Sequence, residues 1–140
     1  MPYDSADDPA WNPLIDAARA AMANAYAPYS SYAVGAALAC GDGSVVAGCN
    51  VENASYGGTI CAERGAVSAA VASGRRIYDA CVVMTRAAEP AYPCGLCRQT
   101  LNEFAPRLPI LLVSQTTGAR RLVRLDEILP GAFGPASLKL

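Results

Sequence analysis

Between residues 45 and 114, short apolar runs alternate with helix-forming ones: VVAGCNVE, CAERGAVSAAVAS, ACVVMTR, CRQTLNEFA and PILLVS. A strand, a helix and a second strand in sequence bury their apolar faces best when the helix crosses over the sheet and the two strands run parallel, almost always with a right-handed crossover. The alternation therefore predicts an α/β protein with helices on both faces of a mixed sheet. Ahead of it, AVGAALAC joins VVAGCNVE through GDGS, which is hairpin chemistry and gives two antiparallel strands. After it, a TTGA turn leads to RRLVRL, an expected edge strand, so the sheet has five strands. A short DEILPGAF segment follows.

Three helices complete the three-layer α/β/α reading. Asn12 before Pro13 reads as an N-cap with proline at the first helical position, and LIDAARAAMANAYA predicts a helix over about 13–27, ended by Pro28. The second helix starts near Cys61, with Gly74 as the residue just past its end. The third is closed by Pro106, with Cys94 and Cys97 in its first turn. With no repeat, low-complexity tract or linker, residues 1–140 are expected to form one domain, long enough to build a core without disulfides.

The chain opens MPYDSADDPAWNPL, without a basic segment followed by an apolar run, and no stretch approaches the roughly 20 apolar residues of a membrane span. A soluble cytoplasmic protein, not bound to membrane, is expected, and in that reducing compartment six cysteines are read as thiols or metal ligands. Eleven basic and twelve acidic side chains nearly cancel, and the pairs Arg75/Arg76 and Arg120/Arg121 form no basic stripe. Polymeric nucleic acid is not an expected partner. Alanine supplies much of the apolar excess, a composition suited to a subunit interface.

There is no histidine. That excludes Ser-His-Asp and Cys-His nucleophiles, histidine proton shuttles and every histidine-containing zinc set. The chemistry falls to Cys, Glu, Asp, Lys, Arg, Tyr or a cofactor. PCGLC alone is also a redox dithiol pattern, and a structural zinc could recruit a fourth thiol from Cys40, Cys49 or Cys81. Cys61, however, begins one helix and Cys94 and Cys97 begin another, and two helices that follow strands emerge on the same edge of the sheet. Three thiolates there leave a zinc ion one open position, the mark of a catalytic site. Two helix N-termini and Arg64 would offset their negative charge. Glu63, in the first turn beside Cys61, can take a proton from metal-bound water.

Cys-x-Glu followed at a distance by Pro-Cys-x-x-Cys is the zinc-deaminase signature with cysteine in place of histidine. TICAERGA and PCGLCRQTLNEF resemble the two zinc motifs of the cytidine deaminases, and the likeness extends through YAPYSSYAVGAAL, GCNVENASYGGTICAER and LPGAFGPASL. It is most similar to the small homotetrameric nucleoside enzymes of that family.

The resemblance implies hydrolytic deamination of cytidine or 2′-deoxycytidine to uridine or 2′-deoxyuridine plus ammonia, a reaction of pyrimidine salvage. Cys61, Cys94 and Cys97 would bind Zn²⁺, and Glu63 would shuttle protons between water, ring N3 and the departing amine. Asn50 and Glu52, two apart at the end of a predicted strand and so expected on one face, would hold the ribose. Tyr32 and, from a neighbouring subunit, Phe133 would wall the base, and the Ala62 amide would meet the pyrimidine carbonyl. Arg64 and Gln99, with Arg98, would support the ligands. The chain departs from the family pattern at Tyr32, where phenylalanine is frequent, and at Gly65, where threonine is.

Overall fold

The computed structural model describes residues 1–139. The alternating pattern becomes β2 (Val45–Cys49), α2 (Ala62–Ala72), β3 (Tyr78–Thr85), α3 (Gly95–Phe104) and β4 (Pro109–Ser114), preceded by α1 (Asn12–Met22) and β1 (Val34–Cys40) and followed by β5 (Arg120–Arg124) and α4 (Leu125–Ile128). The five strands form one sheet in the order β2-β1-β3-β4-β5. β1 is antiparallel to both β2 and β3, β3 is parallel to β4, and β5 is antiparallel to β4. β2, β3 and β4 therefore run in one direction, and α2 and α3 are the two crossovers between them.

Strand periodicity sends neighbouring residues to opposite faces, and each face has its own core. On one, Leu38, Cys81, Val83, Ile110 and Leu112 pack with Ala66, Val67 and Ala70 of α2 and Leu101 of α3. On the other, Ala37, Ala39, Val82, Met84 and Leu111 meet Trp11, Leu14, Ile15, Ala18 and Met22. This is the expected three-layer α/β/α arrangement. No described helix is long and apolar enough to cross a membrane.

Two glycines set how near the helices come. A Cβ on Gly35 would stand 2.0 Å from the Ala18 carbonyl oxygen of α1, and one on Gly48 would stand 2.5 Å from both the Ala62 oxygen and the Ala66 nitrogen of α2. These are backbone atoms, so the helix must shift to admit a methyl. Gly48→Ala is expected to destabilise the protein by about 1–3 kcal/mol through overpacking. It should also lower activity, because Ala62 lies between Cys61 and Glu63. Denaturant unfolding with a parallel activity assay checks this; a stability within about 0.5 kcal/mol of the parent would show that α2 does not rest on Gly48.

Several element ends differ from expectation. Asn12 is already helical, and the chain enters α1 through a 3₁₀ turn (Pro9–Trp11) capped by Asp8, whose Oδ1 accepts from the Ala10 amide at 2.8 Å. α1 ends at Met22 rather than near Ala27 because the backbone of Tyr26 is bonded elsewhere: its N–H donates to Asn50 O at 3.0 Å and its carbonyl accepts from Glu52 N at 2.8 Å. Helix propensity cannot register that distant partner. The same pairing ends β2 at Cys49, short of Glu52. Cys94 is the N-cap of α3, not a first-turn residue. Gly74 is placed as expected, at φ +85° just beyond α2, with Gly74 N donating to Val71 O and Arg75 N to Ala70 O.

Candidate active site

Because β2 and β3 point the same way, α2 and α3 begin at the same edge of the sheet. Cys61 and Cys94 occupy their N-cap positions, and Cys97 is the third residue of α3. The sulfurs converge: Cys61 Sγ lies 3.8 Å from Cys94 Sγ, which lies 3.5 Å from Cys97 Sγ, and all three fall within 4.8 Å of one another. Three thiolates at about 2.3 Å from a tetrahedral zinc ion stand about 3.8 Å apart, so the sulfurs fit that ion with little movement. Among the described residues this is the one such cluster of metal-ligating side chains. Cys40 and Cys81 are buried in the sheet core, and neither they nor Cys49 join it as a fourth ligand.

The electrostatics suit an anionic cluster. Each helix N-terminus contributes about half a positive charge. Arg64 donates through Nη2 to Thr59 O at 2.9 Å and to Cys61 Sγ at 3.7 Å, while its buried Nε has no partner. That leaves a donor unmatched by any oxygen on a side chain that already touches the sulfur cluster. Partial burial works against ionising Cys94, yet the amides of Cys97 and Leu96 and the thiols of Cys97 and Cys61 hold it below the ordinary thiol value. Burial pushes the Cys97 thiol up, reinforced by the nearby charges of Glu63 and Cys61. A bound cation is what reconciles a fully buried thiol with ionisation.

Glu63, 4 % exposed, sits beside the cluster. Burial pushes its carboxyl above the usual carboxylate value, offset in part by its own amide, the Cys97 thiol and Arg64. The carboxyl opens into a cavity of about 210 Å³ lined also by Tyr32, Asn50, Cys61, Ala62 and Cys94. Most of the residues expected at the site thus share one space.

Cys97 and Arg64 meet the cluster without lining this cavity, and Glu52, Gln99 and Phe133 lie outside it. Asn50 and Glu52 do not share a face: the strand ends at Cys49, before both of them, and each side chain turns a separate way. Asn50, 7 % exposed, accepts from Val34 N at 2.9 Å through Oδ1 and donates to Tyr32 O at 2.7 Å through Nδ2. Glu52 accepts from the amides of Tyr29 and Ser30 and from the Ser30 hydroxyl, in a second cavity with Tyr29, Tyr56 and Thr59. Thr59 lines both cavities, so the two adjoin. Phe133 is 58 % exposed, and its carbonyl accepts from Gln99 Nε2 at 2.6 Å and Asn102 Nδ2 at 3.3 Å.

Thr59, Val83, Thr85, Ala91 and Tyr92 line the first cavity without having been singled out in the sequence. Thr59 and Tyr92 each stand two residues before a cysteine of the cluster, which is the available signal; Val83 and Thr85 are distinguished only by the end of β3 that the fold selects.

Fold and site define a class: α/β/α proteins with three converging cysteines able to hold a metal next to a buried carboxylate. The family model for the "Cytidine and deoxycytidylate deaminase zinc-binding region" matches residues 12–112. A cytidine deaminase of Halalkalibacterium halodurans is 45 % identical over 120 residues, covering 86 % of this chain and 91 % of its own length. One from Mycobacterium tuberculosis is 46 % identical over 126 residues, covering 89 % and 90 %. The crystal structure of cytidine deaminase from Burkholderia pseudomallei superposes with a TM-score of 0.84 at 46 % identity, covering 87 % of this chain and 98 % of that one. The chain belongs to the cytidine and deoxycytidylate deaminase family, whose matching region binds zinc.

Proposed function

We propose that this chain hydrolyses the C4 amino group of cytidine and 2′-deoxycytidine, releasing ammonia and leaving uridine or 2′-deoxyuridine, with zinc held by Cys61, Cys94 and Cys97. The observation that carries the reading is the convergence of three sulfurs beside the buried Glu63, with Cys61 and Cys94 lining the same cavity as that carboxyl. A zinc ion at that position supplies a Lewis acid able to bring the pKa of a bound water to roughly 7.

Glu63 is the proton carrier. Its carboxylate would take one proton from the attacking water and pass it to ring N3, then take the second from the hydroxyl now on C4 and pass it to the departing amine, so one group serves as base and then as acid twice in a turnover. Burial favours this, because a carboxyl in a dry pocket holds a proton more readily than one in water. The Ala62 amide receives the pyrimidine carbonyl and Tyr32 walls the ring. Asn50 uses two of its four hydrogen-bonding positions within the chain and keeps two for a ribose hydroxyl. A sugar leaving the first cavity at Thr59 enters the second, where Glu52 lies. The exposed Phe133 ring is free to enter the site of a neighbouring subunit, in keeping with a homotetramer acting in cytoplasmic pyrimidine salvage.

Metal analysis and substrate profiling of the purified protein test this. Near one zinc per chain is expected, with turnover of cytidine and deoxycytidine exceeding that of N4-methylcytidine and of cytosine-containing nucleoside antibiotics. No turnover of the first two would overturn the assignment, and metal-free active protein would overturn the mechanism. A fully active monomer would count against Phe133 acting between subunits.

A further inference from the structure

The cavity wall that carries Cys94 is the β3–α3 connection, and it is gripped from outside by groups the mechanism leaves unused. Among the described residues, no backbone-to-backbone hydrogen bond involves residues 86–93; the loop's anchors are side chains. Thr116 Oγ1 donates to Arg86 O at 2.7 Å, and Thr117 Oγ1 to Ala88 O at 3.0 Å, both from the β4–β5 turn.

Nearer the metal site the anchor is Tyr92. Arg121 of β5 donates through Nη1 to the Tyr92 hydroxyl at 3.2 Å and places its guanidinium 5.8 Å from the ring centroid. Arg98 of α3 lies over the same ring at 5.9 Å, while its Nε donates to Pro93 O at 2.8 Å and its Nη1 to Ile128 O at 2.7 Å. Both contacts have cation–π geometry, to which planar guanidinium groups are well suited. Ala91, Tyr92 and Cys94 in turn line the cavity.

We propose that Tyr92 is a positioning residue for the reaction: held by Arg98 and Arg121, it fixes the Ala91–Cys94 wall and with it the Cys94 sulfur relative to Cys61 and Cys97. The inference rests on the zinc deaminase reading. It gives β5, the edge strand, which carries none of the three cysteines, a part in the geometry of the metal site. Displacing a reacting group by about 1 Å costs on the order of 100-fold in rate, so a loosened wall should be felt in turnover more than in binding.

The experiment compares Tyr92→Ala, Tyr92→Phe and Arg121→Ala as zinc-loaded and as cobalt-loaded proteins. Tyr92→Ala is expected to lower kcat by about 10- to 100-fold with KM changed less than about threefold, and to speed zinc release to a chelator by about tenfold. It should also shift the thiolate-to-cobalt charge-transfer band. Tyr92→Phe keeps the ring under both guanidinium groups and should stay within about threefold of the parent. Arg121→Ala removes a half-exposed side chain, so it should fold even if Tyr92→Ala does not, and it should change the cobalt spectrum and zinc release in the same direction by a smaller amount. Parent-like cobalt spectra and zinc release in Tyr92→Ala, or in Arg121→Ala if the former does not fold, would overturn the proposal. A parent protein that takes up no zinc would instead sink the deaminase reading.

Discussion

Glu63→Gln is expected to keep its zinc and its fold while losing deamination by about 10⁴-fold or more. A positioned acid–base group contributes roughly 10²- to 10⁴-fold, and this one is asked to act in both directions within a turnover. Glutamine has nearly the same shape, so the cavity is preserved, but it has no ionisable proton to relay. Folding should not suffer: the residue is 4 % exposed, and a neutral amide is easier to bury than a carboxylate. Turnover assays alongside metal analysis check both halves of the expectation. Activity within tenfold of the parent, with zinc in place, would mean that another group carries the protons.

The second large effect concerns the ligands. Cys97 is fully buried and lies at the meeting point of Cys94 and Glu63. Cys97→Ala removes one of three sulfurs, and with two the site falls below the ligand count of a catalytic zinc centre. Zinc content should drop from near one per chain to below about one-tenth, with activity lost in proportion. Chelation of the parent should reproduce the loss, and added zinc should reverse it. Metal that binds only the folded chain also stabilises it, by about 4 kcal/mol at a thousandfold excess over Kd. The unfolding temperature of the parent should therefore fall on chelation, whereas that of Cys97→Ala should not respond. Full zinc retention in the variant would show that the ion is held elsewhere.

Much of the scaffold was legible in the chain because its signals are local. The turn at Gly74 needs a positive φ that glycine adopts freely, and the strand–helix alternation leaves few ways to bury both elements. The three cysteines were legible for a different reason: with histidine absent, few side chains remain that can bind a transition metal. What escaped depends on partners far along the chain. α1 stops at Met22 because Tyr26 pairs with residues at 50 and 52, and no property of AMANAYA announces that. Asn50 and Glu52 part company because the strand assumed to align them ends at Cys49. Tyr92 looked like an unremarked neighbour of a motif, since its hydroxyl partner, Arg121, lies 29 residues downstream.

Cys61 makes no side-chain capping bond to α2, and Cys94 Sγ takes only the weak attraction of the Leu96 and Cys97 amides in place of a full capping hydrogen bond to α3. Serine, aspartate or asparagine at an N-cap commonly adds about 1 kcal/mol that cysteine does not provide. The same two positions cannot serve both ends: a strong oxygen cap there would take the place of a sulfur of the cluster. The protein accepts weakened helix starts at the one place where its chemistry is assembled, a local trade of robustness for activity. Efforts to make the scaffold hardier therefore have two tempting positions, and both are closed to them.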